Sequence, residues 1–327
     1  MADIRLSRFK PFGYGGMFMQ KIRNSDLWRM NYLNDRYMEY LPKEELFQRC
    51  LNVLYNFITI NQDGKISLRL PDERSKFWSP IITEIQTELS LKGSQFPPPE
   101  IAQDLGKLIS FPNIETVISK MKTITFPRAP YFVKYGDKEH LAKMYRNGTI
   151  LIKPASAYTD SSLNKAQRDD ELRRELALHP NRVRIIQDEQ KTPLKPIGNI
   201  RLCLKSSSDY YLYCMAKEAD VRLFRDFKSN ACLVVRNPER FVSDVVESVR
   251  RILTLKGHGF GVPILYIDPL NPPPGPLNVF GTKLFDFWYQ LEYRIVFIPF
   301  KPVEKLEPVE IEIGSMSEYS DLIIIQD

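Results

Sequence analysis

The pattern of hydrophobic and polar positions changes near residue 125. From Ser25 onward, apolar residues recur every three or four positions, and the same period is found in 42–57, 79–92 and 99–122. This spacing places the apolar side chains on one face of each helix, where they can pack together. We therefore predict that residues 1–125 form a mainly α-helical domain that binds a partner or braces the rest of the chain.

After residue 126 the apolar residues fall into short runs, several of which alternate with polar ones, as in β-strands. This part of the chain is predicted to have strands at 131–136, 149–154, 199–205, 210–216, 231–235, 262–268, 290–298 and 309–313, and helices at 137–147, 163–178 and 238–254. Asp137 is expected to cap the first of these helices and Gly148 to end it. Many short strands with few long helices predict an α+β fold for residues 126–327, with a mixed, largely antiparallel sheet.

The composition is that of a globular chain, with 43% hydrophobic and 26% charged residues among 327. No run approaches the roughly 18 apolar residues of a membrane span, and the first residues lack an apolar signal segment. We expect a cytoplasmic protein that does not enter a membrane. The four cysteines lie in apolar stretches without CxxC or Cys/His spacing, so we expect reduced core thiols, with no disulfide and no metal site.

The net charge of +6 is unevenly distributed, because residues 126–300 alone carry +8. A basic region of this kind suits a polyanionic partner, either nucleic acid or the phosphates of a dinucleotide. A surface with many solvated lysines and arginines would give the same count. The charge therefore favours a nucleic-acid partner without requiring one.

The stretch 284–299 carries the most distinctive chemistry of the chain. An aromatic run leads through Gln290 to Glu292, and the alternating residues that follow predict a half-buried strand. A carboxylate at the start of a buried strand needs a partner, so Glu292 either pairs with a cation such as Arg294 or serves a ligand. Because residues two apart on a strand face the same way, Gln290 is predicted to lie beside Glu292.

The order of motifs in residues 126–327 resembles the ADP-ribosyltransferase fold. The first strand ends in a Lys-Tyr-Gly sequence, a short helix follows with a histidine, the next strand leads to a Ser-x-Tyr pair, and the late strand carries Gln-x-Glu before an aromatic residue and an arginine. The residues that carry the resemblance are Lys134, Tyr135, Gly136, His140, Ser156, Tyr158, Gln290 and Glu292. The same motifs are similar to those of uncharacterised bacterial phage-defence and toxin-like proteins.

The resemblance implies that NAD is a substrate and that the ADP-ribose group is transferred to a macromolecule. It assigns Glu292 as the catalytic carboxylate and Gln290 as the residue that orients the acceptor, and it places the other six residues around the dinucleotide. In this family Gln at the first position of the late motif accompanies acceptors other than arginine, including guanine bases. A toxin of this kind would need a neutralising protein partner.

Two departures from the family pattern and two alternatives accompany this hypothesis. The family's first-strand Arg or His is replaced by Lys134 and Tyr135, and the Ser-Thr-Ser of the second strand is missing.

The first alternative is a non-enzymatic, basic α+β module that binds nucleic acid or protein, in which Glu292 and Arg294 form a structural pair. The second is a metal nuclease, but the carboxylates at 169–171 are more simply explained as a salt-bridged helix start.

Overall fold

The computed structural model describes residues 4–6, 23–60, 66–68, 73–97, 114–123, 125–128, 130–187, 192–194, 196–252 and 257–325. The helices in these residues are α1 (Asn24–Asn34), α2 (Lys43–Phe57), α3 (Glu73–Leu91), α4 (Ile114–Lys122), α5 (Lys138–Asn147), α6 (Val221–Asp226) and α7 (Pro238–Ile252). Three 3-10 helices are formed by Ala155–Thr159, Pro180–Arg182 and Phe285–Gln290. The described helices include none with the length and apolar character needed to cross a bilayer.

The strands are short and numerous. They are β1 (Ile4–Leu6), β2 (Ile58–Ile60), β3 (Ile66–Leu68), β4 (Phe132–Gly136), β5 (Thr149–Pro154), β6 (Arg173–Leu178), β7 (Val183–Gln187), β8 (Thr192–Leu194), β9 (Ile200–Lys205), β10 (Tyr211–Ala216), β11 (Ala231–Val235), β12 (Gly257–Pro263), β13 (Leu265–Ile267), β14 (Thr282–Leu284), β15 (Glu292–Pro299), β16 (Val309–Glu312) and β17 (Ser320–Ile324).

Eight of these strands form the central sheet, in the order β12-β15-β10-β4-β11-β17, with β5 pairing both β10 and β16. Every pair in this sheet is antiparallel. The predicted α+β class with a largely antiparallel sheet is therefore confirmed. The remaining described strands form small two- and three-stranded sheets around it.

The central sheet splits along one edge of β10. At one end of that strand Tyr211 and Leu212 lie opposite β5, and at the other end Ala216 lies opposite β4. Between these contacts the carbonyl of Cys214 accepts a hydrogen bond from Lys134 Nζ at 2.8 Å. The lysine thus satisfies a main-chain acceptor at the point where β4 and β5 diverge.

The two faces of the sheet are covered differently, because side chains alternate along each strand. Tyr213 and Met215 of β10 pack with α5 and α7 in the largest core. Leu212 and Val296 face the other way and pack against Ala155 and neighbouring residues. Glu292 and Arg294 have the same strand parity as Val296, so the candidate carboxylate lies on the face opposite α7.

The first three helices share a core with the second half of the chain. Trp78 is buried among α1, α2 and α3, and Leu270 and Phe285 belong to the same cluster. Arg49 on α2 is paired with Asp268 beyond β13, at 2.5 Å between Nη2 and Oδ2. These contacts fix the 3-10 helix Phe285–Gln290, and with it the start of β15, against the helical part.

Several predicted boundaries are confirmed. Asp137 caps α5 by accepting a hydrogen bond from the Glu139 amide at 2.8 Å, and Gly148 ends the helix with φ of 68°. The helices predicted at 42–57 and 79–92 correspond to α2 and to most of α3. Of the helix predicted at 99–122, residues 99–113 lie outside the described part of the chain.

Two predictions about buried and helical segments are wrong. Residues 163–178 do not form a helix: they pass through turns into β6, in which Arg174, Leu176 and Leu178 are buried on one side. A period of two, rather than the charge pattern, determines this segment. Cys203 is exposed on β9 rather than buried, because the same alternation turns it outward.

Candidate functional site

Glu292 is the first residue of β15 and is only 5% exposed. Its Oε1 accepts a hydrogen bond from Arg294 Nε at 2.5 Å, and its Oε2 accepts one from Lys283 Nζ at 3.0 Å. The amide of Glu292 donates to the hydroxyl of Tyr266 at 2.7 Å. Both carboxylate oxygens are therefore held by cations, one from the same strand and one from β14.

Gln290 contacts the same lysine, but it does not lie in the element predicted for it. It ends a 3-10 helix rather than lying on the strand, and Leu291 then turns the chain in the left-handed conformation, with φ of 45° and ψ of 49°. The Oε1 atom of Gln290 accepts from Lys283 Nζ at 3.1 Å, and its Nε2 donates to the carbonyl of Ala166 at 2.8 Å. Lys283 thus joins Gln290 to Glu292.

A second carboxylate extends the ion pairs. Arg294 binds both oxygens of Glu171, with Nη2 to Oε1 and Nη1 to Oε2 each at 2.7 Å. Glu171 also accepts from Arg174 Nη2 at 2.6 Å, and Arg174 Nε donates to the Thr282 carbonyl at 3.0 Å. These charged side chains are almost completely buried, so their pairing replaces the solvation they have lost.

Asp169 is the third carboxylate and the least constrained. Its Oδ2 lies 3.2 Å from Arg174 Nη2, yet this buried oxygen makes no hydrogen bond within the described residues. Its side chain is 13% exposed, and its amide donates to the carbonyl of Tyr158 at 3.1 Å. We call the following residues the Glu292 cluster: Asp169, Glu171, Arg174, Lys283, Gln290, Glu292 and Arg294.

The pKa values of Glu292 and Asp169, two carboxylates of the Glu292 cluster, are shifted in opposite directions. Burial alone would raise the pKa of Glu292, but Arg294 and Lys283 outweigh it and hold that pKa well below its usual range. Burial, together with the negative charge of Glu171, raises the pKa of Asp169 to about 6. Glu292 is thus fixed as an anion, while Asp169 can gain or lose a proton close to neutral pH.

Two other predicted residues lie close to this cluster. Burial lowers the pKa of Lys134, and the negative charge of Glu292 opposes that shift. Burial raises the pKa of Tyr158 well above its usual value, and Cys214, Glu171 and Glu292 add to that shift. The hydroxyl of Tyr158 makes no hydrogen bond to the described part of the chain. The charge of Glu292 therefore acts on both residues, although Lys134 Nζ lies over the ring of Tyr213, 4.2 Å from its centroid, on the face that α7 covers.

The remaining four predicted residues are engaged elsewhere. The hydroxyl of Tyr135 both donates to the carbonyl of Asp220 and accepts from its amide, within a separate apolar core. Gly136 ends β4 beside Leu141 of α5, where a Cβ atom would meet the leucine side chain at ordinary contact distance. The structure gives Tyr135 and Gly136 a packing role.

His140 and Ser156 also make their contacts outside the cluster. The side chain of His140 is 85% exposed on α5 and lies 3.9 Å from Asp137. Ser156 Oγ donates to Asp209 Oδ2 at 2.6 Å, and Asp209 is a buried carboxylate that also accepts from main-chain amides. Of the eight predicted residues, the structure joins Gln290 to Glu292 through Lys283, and the charge of Glu292 acts on Lys134 and Tyr158.

Sequence reasoning missed four members of the cluster: Asp169, Glu171, Arg174 and Lys283. The sequence predicts Asp169 and Glu171 at a salt-bridged helix start and Arg174 within the same helix, whereas the structure has Asp169 and Glu171 before β6 and Arg174 in it. The alternation of Arg174 with the apolar residues of that strand was the available signal for an inward-facing arginine. Nothing local marks Lys283, because its partners lie 7 and 9 residues away across the 3-10 helix.

Within the residues that the structure describes, no three His, Cys, Asp or Glu side chains are grouped as a metal site. Comparison of the chain with protein-family models, with curated proteins and with solved structures finds no match. The interpretation of the site therefore depends on its own geometry and on the sequence motifs.

Proposed function

We propose that the protein is an NAD-dependent ADP-ribosyltransferase whose reactive centre is the Glu292 cluster. The observation that carries the proposal is that Gln290 and Glu292, the two residues of the late motif, are joined by one buried lysine, Lys283. A cluster of buried ionisable groups with shifted pKa values is typical of catalytic sites.

Glu292 would act on the ribose of NAD. Cleavage of the nicotinamide–ribose bond develops positive charge on the sugar, and a nearby carboxylate that is always ionised stabilises that charge. A ribose hydroxyl would replace Lys283 at Oε2, because this 3.0 Å contact is longer than the 2.5 Å contact with Arg294. Lys283 would keep Gln290 as its partner.

The split in the sheet supplies groups suited to the dinucleotide. Lys134 on β4 and Lys153 on β5 are close enough that Lys153 contributes to the lowered pKa of Lys134. Two lysines close to one another suit a diphosphate. The Tyr158 hydroxyl, which is free of hydrogen bonds within the described residues, is suited to the carboxamide or ring of the nicotinamide. The net charge of residues 126–300 favours nucleic acid as the acceptor.

The non-enzymatic alternative also has an observation in its favour. The Glu292–Arg294 pair that it predicts is present, and both oxygens of Glu292 are already bound by cations. In that case the cluster serves only to hold β14, β15 and the turn before β6 together, and the basic surface binds nucleic acid or protein without chemistry. The two hypotheses differ in what happens to NAD.

The test is incubation of the purified protein with labelled NAD and, in separate reactions, RNA, DNA and cell-lysate protein. Under the proposed function one polymer class becomes labelled, and Glu292→Gln lowers the rate by about 10²–10³-fold, because the carboxylate charge is lost while its shape remains. Glu310→Gln, an exposed substitution on β16, is the matched control and should act like wild type. Circular dichroism verifies that each variant is folded.

If NAD stays intact in every mixture, the enzyme hypothesis is wrong and the non-enzymatic alternative takes its place. If NAD is consumed equally by wild type and by folded Glu292→Gln, the reactive centre lies elsewhere in the molecule. Label on protein rather than on nucleic acid would retain the transferase and overturn its proposed acceptor.

A further inference from the structure

Asp169 differs from the other carboxylates of the Glu292 cluster in its hydrogen bonds. Each oxygen of Glu171 and of Glu292 accepts at least one hydrogen bond from an arginine or a lysine. Asp169 Oδ2 is buried beside Arg174 and accepts none within the described residues. A buried oxygen that accepts no hydrogen bond is costly for folding, and a ligand that donates a hydrogen bond to it would recover that cost.

The position of Asp169 also differs. The side chains of Glu171 and Glu292 are 2% and 7% exposed, whereas that of Asp169 is 13% exposed. Its amide is bound to the carbonyl of Tyr158, the residue proposed to contact nicotinamide. The side chain of Asp169 is therefore the most exposed carboxylate of the cluster, with Oδ2 as its buried oxygen, and its amide is bound to the segment that contains Tyr158.

We infer that Asp169 is the proton acceptor for the incoming nucleophile, which is a neutral hydroxyl or nitrogen that carries a hydrogen. This inference rests on the proposed function. A lone pair of the nucleophile forms the new bond to C1′ of the ribose, and the nucleophile's proton passes to Asp169. The C1′–nitrogen bond breaks, and its electron pair leaves with the ring nitrogen of nicotinamide, which departs neutral.

The charges around Asp169 suit this role. Glu171 on the same segment opposes ionisation, while Lys283 on β14, Arg174 on β6 and Arg294 on β15 favour it. The balance raises the pKa of Asp169 to about 6, near the value at which a base is both ionised at neutral pH and able to hold a proton. The rate of transfer should therefore fall as the pH drops below about 6.

The experiment compares wild type, Asp169→Asn, Asp169→Glu and Asp170→Asn, the last being an exposed neighbour. Three quantities are measured: NAD affinity by calorimetry, nicotinamide release, and label transfer between pH 5 and 9. Asp169→Asn should bind NAD as wild type does, transfer about 10²-fold more slowly and lose the fall in rate below pH 6. Asp169→Glu should recover part of the rate, and Asp170→Asn should match wild type.

The outcomes separate this inference from the proposed function. If wild type transfers label and folded Asp169→Asn does so at the same rate with the same pH profile, Asp169 is not the base, but the transferase stands. If Asp169→Asn loses NAD affinity, Asp169 is a binding residue and the inference is wrong. If wild type releases no nicotinamide at any pH, the proposed function fails and the inference fails with it.

Discussion

Two buried ionic regions of the molecule differ in how their carboxylates are hydrogen-bonded. At the contact between α2 and the residue after β13, one arginine meets one aspartate: Arg49 binds both oxygens of Asp268, and the amide of Leu270 adds a bond to Oδ1. Phe285 lies below the guanidinium group, 5.0 Å from its carbon. The aspartate is completely satisfied by groups that the chain itself supplies.

The Glu292 cluster has equal numbers of acidic and basic side chains, yet its hydrogen bonds are unequally shared. Arg294 serves two carboxylates and Glu171 is served by two arginines, while Asp169 Oδ2 has no hydrogen bond from the described residues. Burial and neutrality are therefore the same in both regions. Arg49 Nε, like Asp169 Oδ2, has no hydrogen bond within the described residues, so the regions differ in that the unpaired atom of the Glu292 cluster is a carboxylate oxygen, which can accept from a ligand.

The largest effect is expected from Arg294→Met. The substitution leaves Glu171 and Glu292 buried without their shared cation, and we expect the free energy of unfolding to fall by about 5 kcal/mol, or the chain to fail to fold. Urea denaturation followed by circular dichroism measures the change. A loss below about 1 kcal/mol would mean that water reaches both carboxylates, and the cluster could not then be treated as buried.

Arg49→Met should have a smaller effect, about 3 kcal/mol, because only one carboxylate loses its partner. Urea denaturation again gives the change in stability. Adding Asp268→Asn should restore much of that loss, since Asn has no charge and its oxygen can still accept from the Leu270 amide. If the double variant were no more stable than Arg49→Met, the stacking of the guanidinium on Phe285 would be the more important contribution.

The smallest effect concerns the pH dependence of stability. Because burial and Glu171 raise the pKa of Asp169 from 3.8 to about 6, its stabilising contribution is complete below pH 3.8 and is lost as the pH rises through 6. Asp169→Asn removes this dependence, so its stability relative to wild type should increase between pH 4 and 7, by about 2 kcal/mol. Thermal unfolding at several pH values measures the difference.

Asp170→Asn provides the control for the pH experiment, because the side chain of Asp170 is exposed. The difference between this variant and wild type should be the same at pH 4 and pH 7. If Asp169→Asn behaved in the same way, the carboxylate of Asp169 would be as well solvated as an exposed one. The contrast between Asp169 and the satisfied Asp268 would then disappear.

Local signals in the sequence were sufficient for the elements that contain them. The limits of α5 follow from a capping aspartate and a terminal glycine, and the alternating residues after Glu292 predict β15. The ion pair between Glu292 and Arg294 follows from strand alternation and was one of two predicted alternatives. Each of these features depends on residues within a few positions of one another.

The rest of the site could not be found in this way, because its members come from distant segments. Glu171 meets Arg294 across 123 residues, and Lys283 reaches Glu292 across a 3-10 helix and a left-handed residue. The same limitation explains Tyr135 and Ser156. Their positions match the motif order of the resemblance, but their hydroxyls are bound to Asp220 and Asp209, which no local pattern indicates.

Leu291 limits the range of residues that this site tolerates. Its left-handed backbone costs a residue with a side chain about 1–2 kcal/mol, and glycine would avoid that cost. Yet the leucine is 8% exposed, so glycine would leave apolar volume unfilled between Gln290 and Glu292. The left-handed backbone thus favours glycine at position 291, while the core favours leucine. Few residues would therefore be tolerated between Gln290 and Glu292.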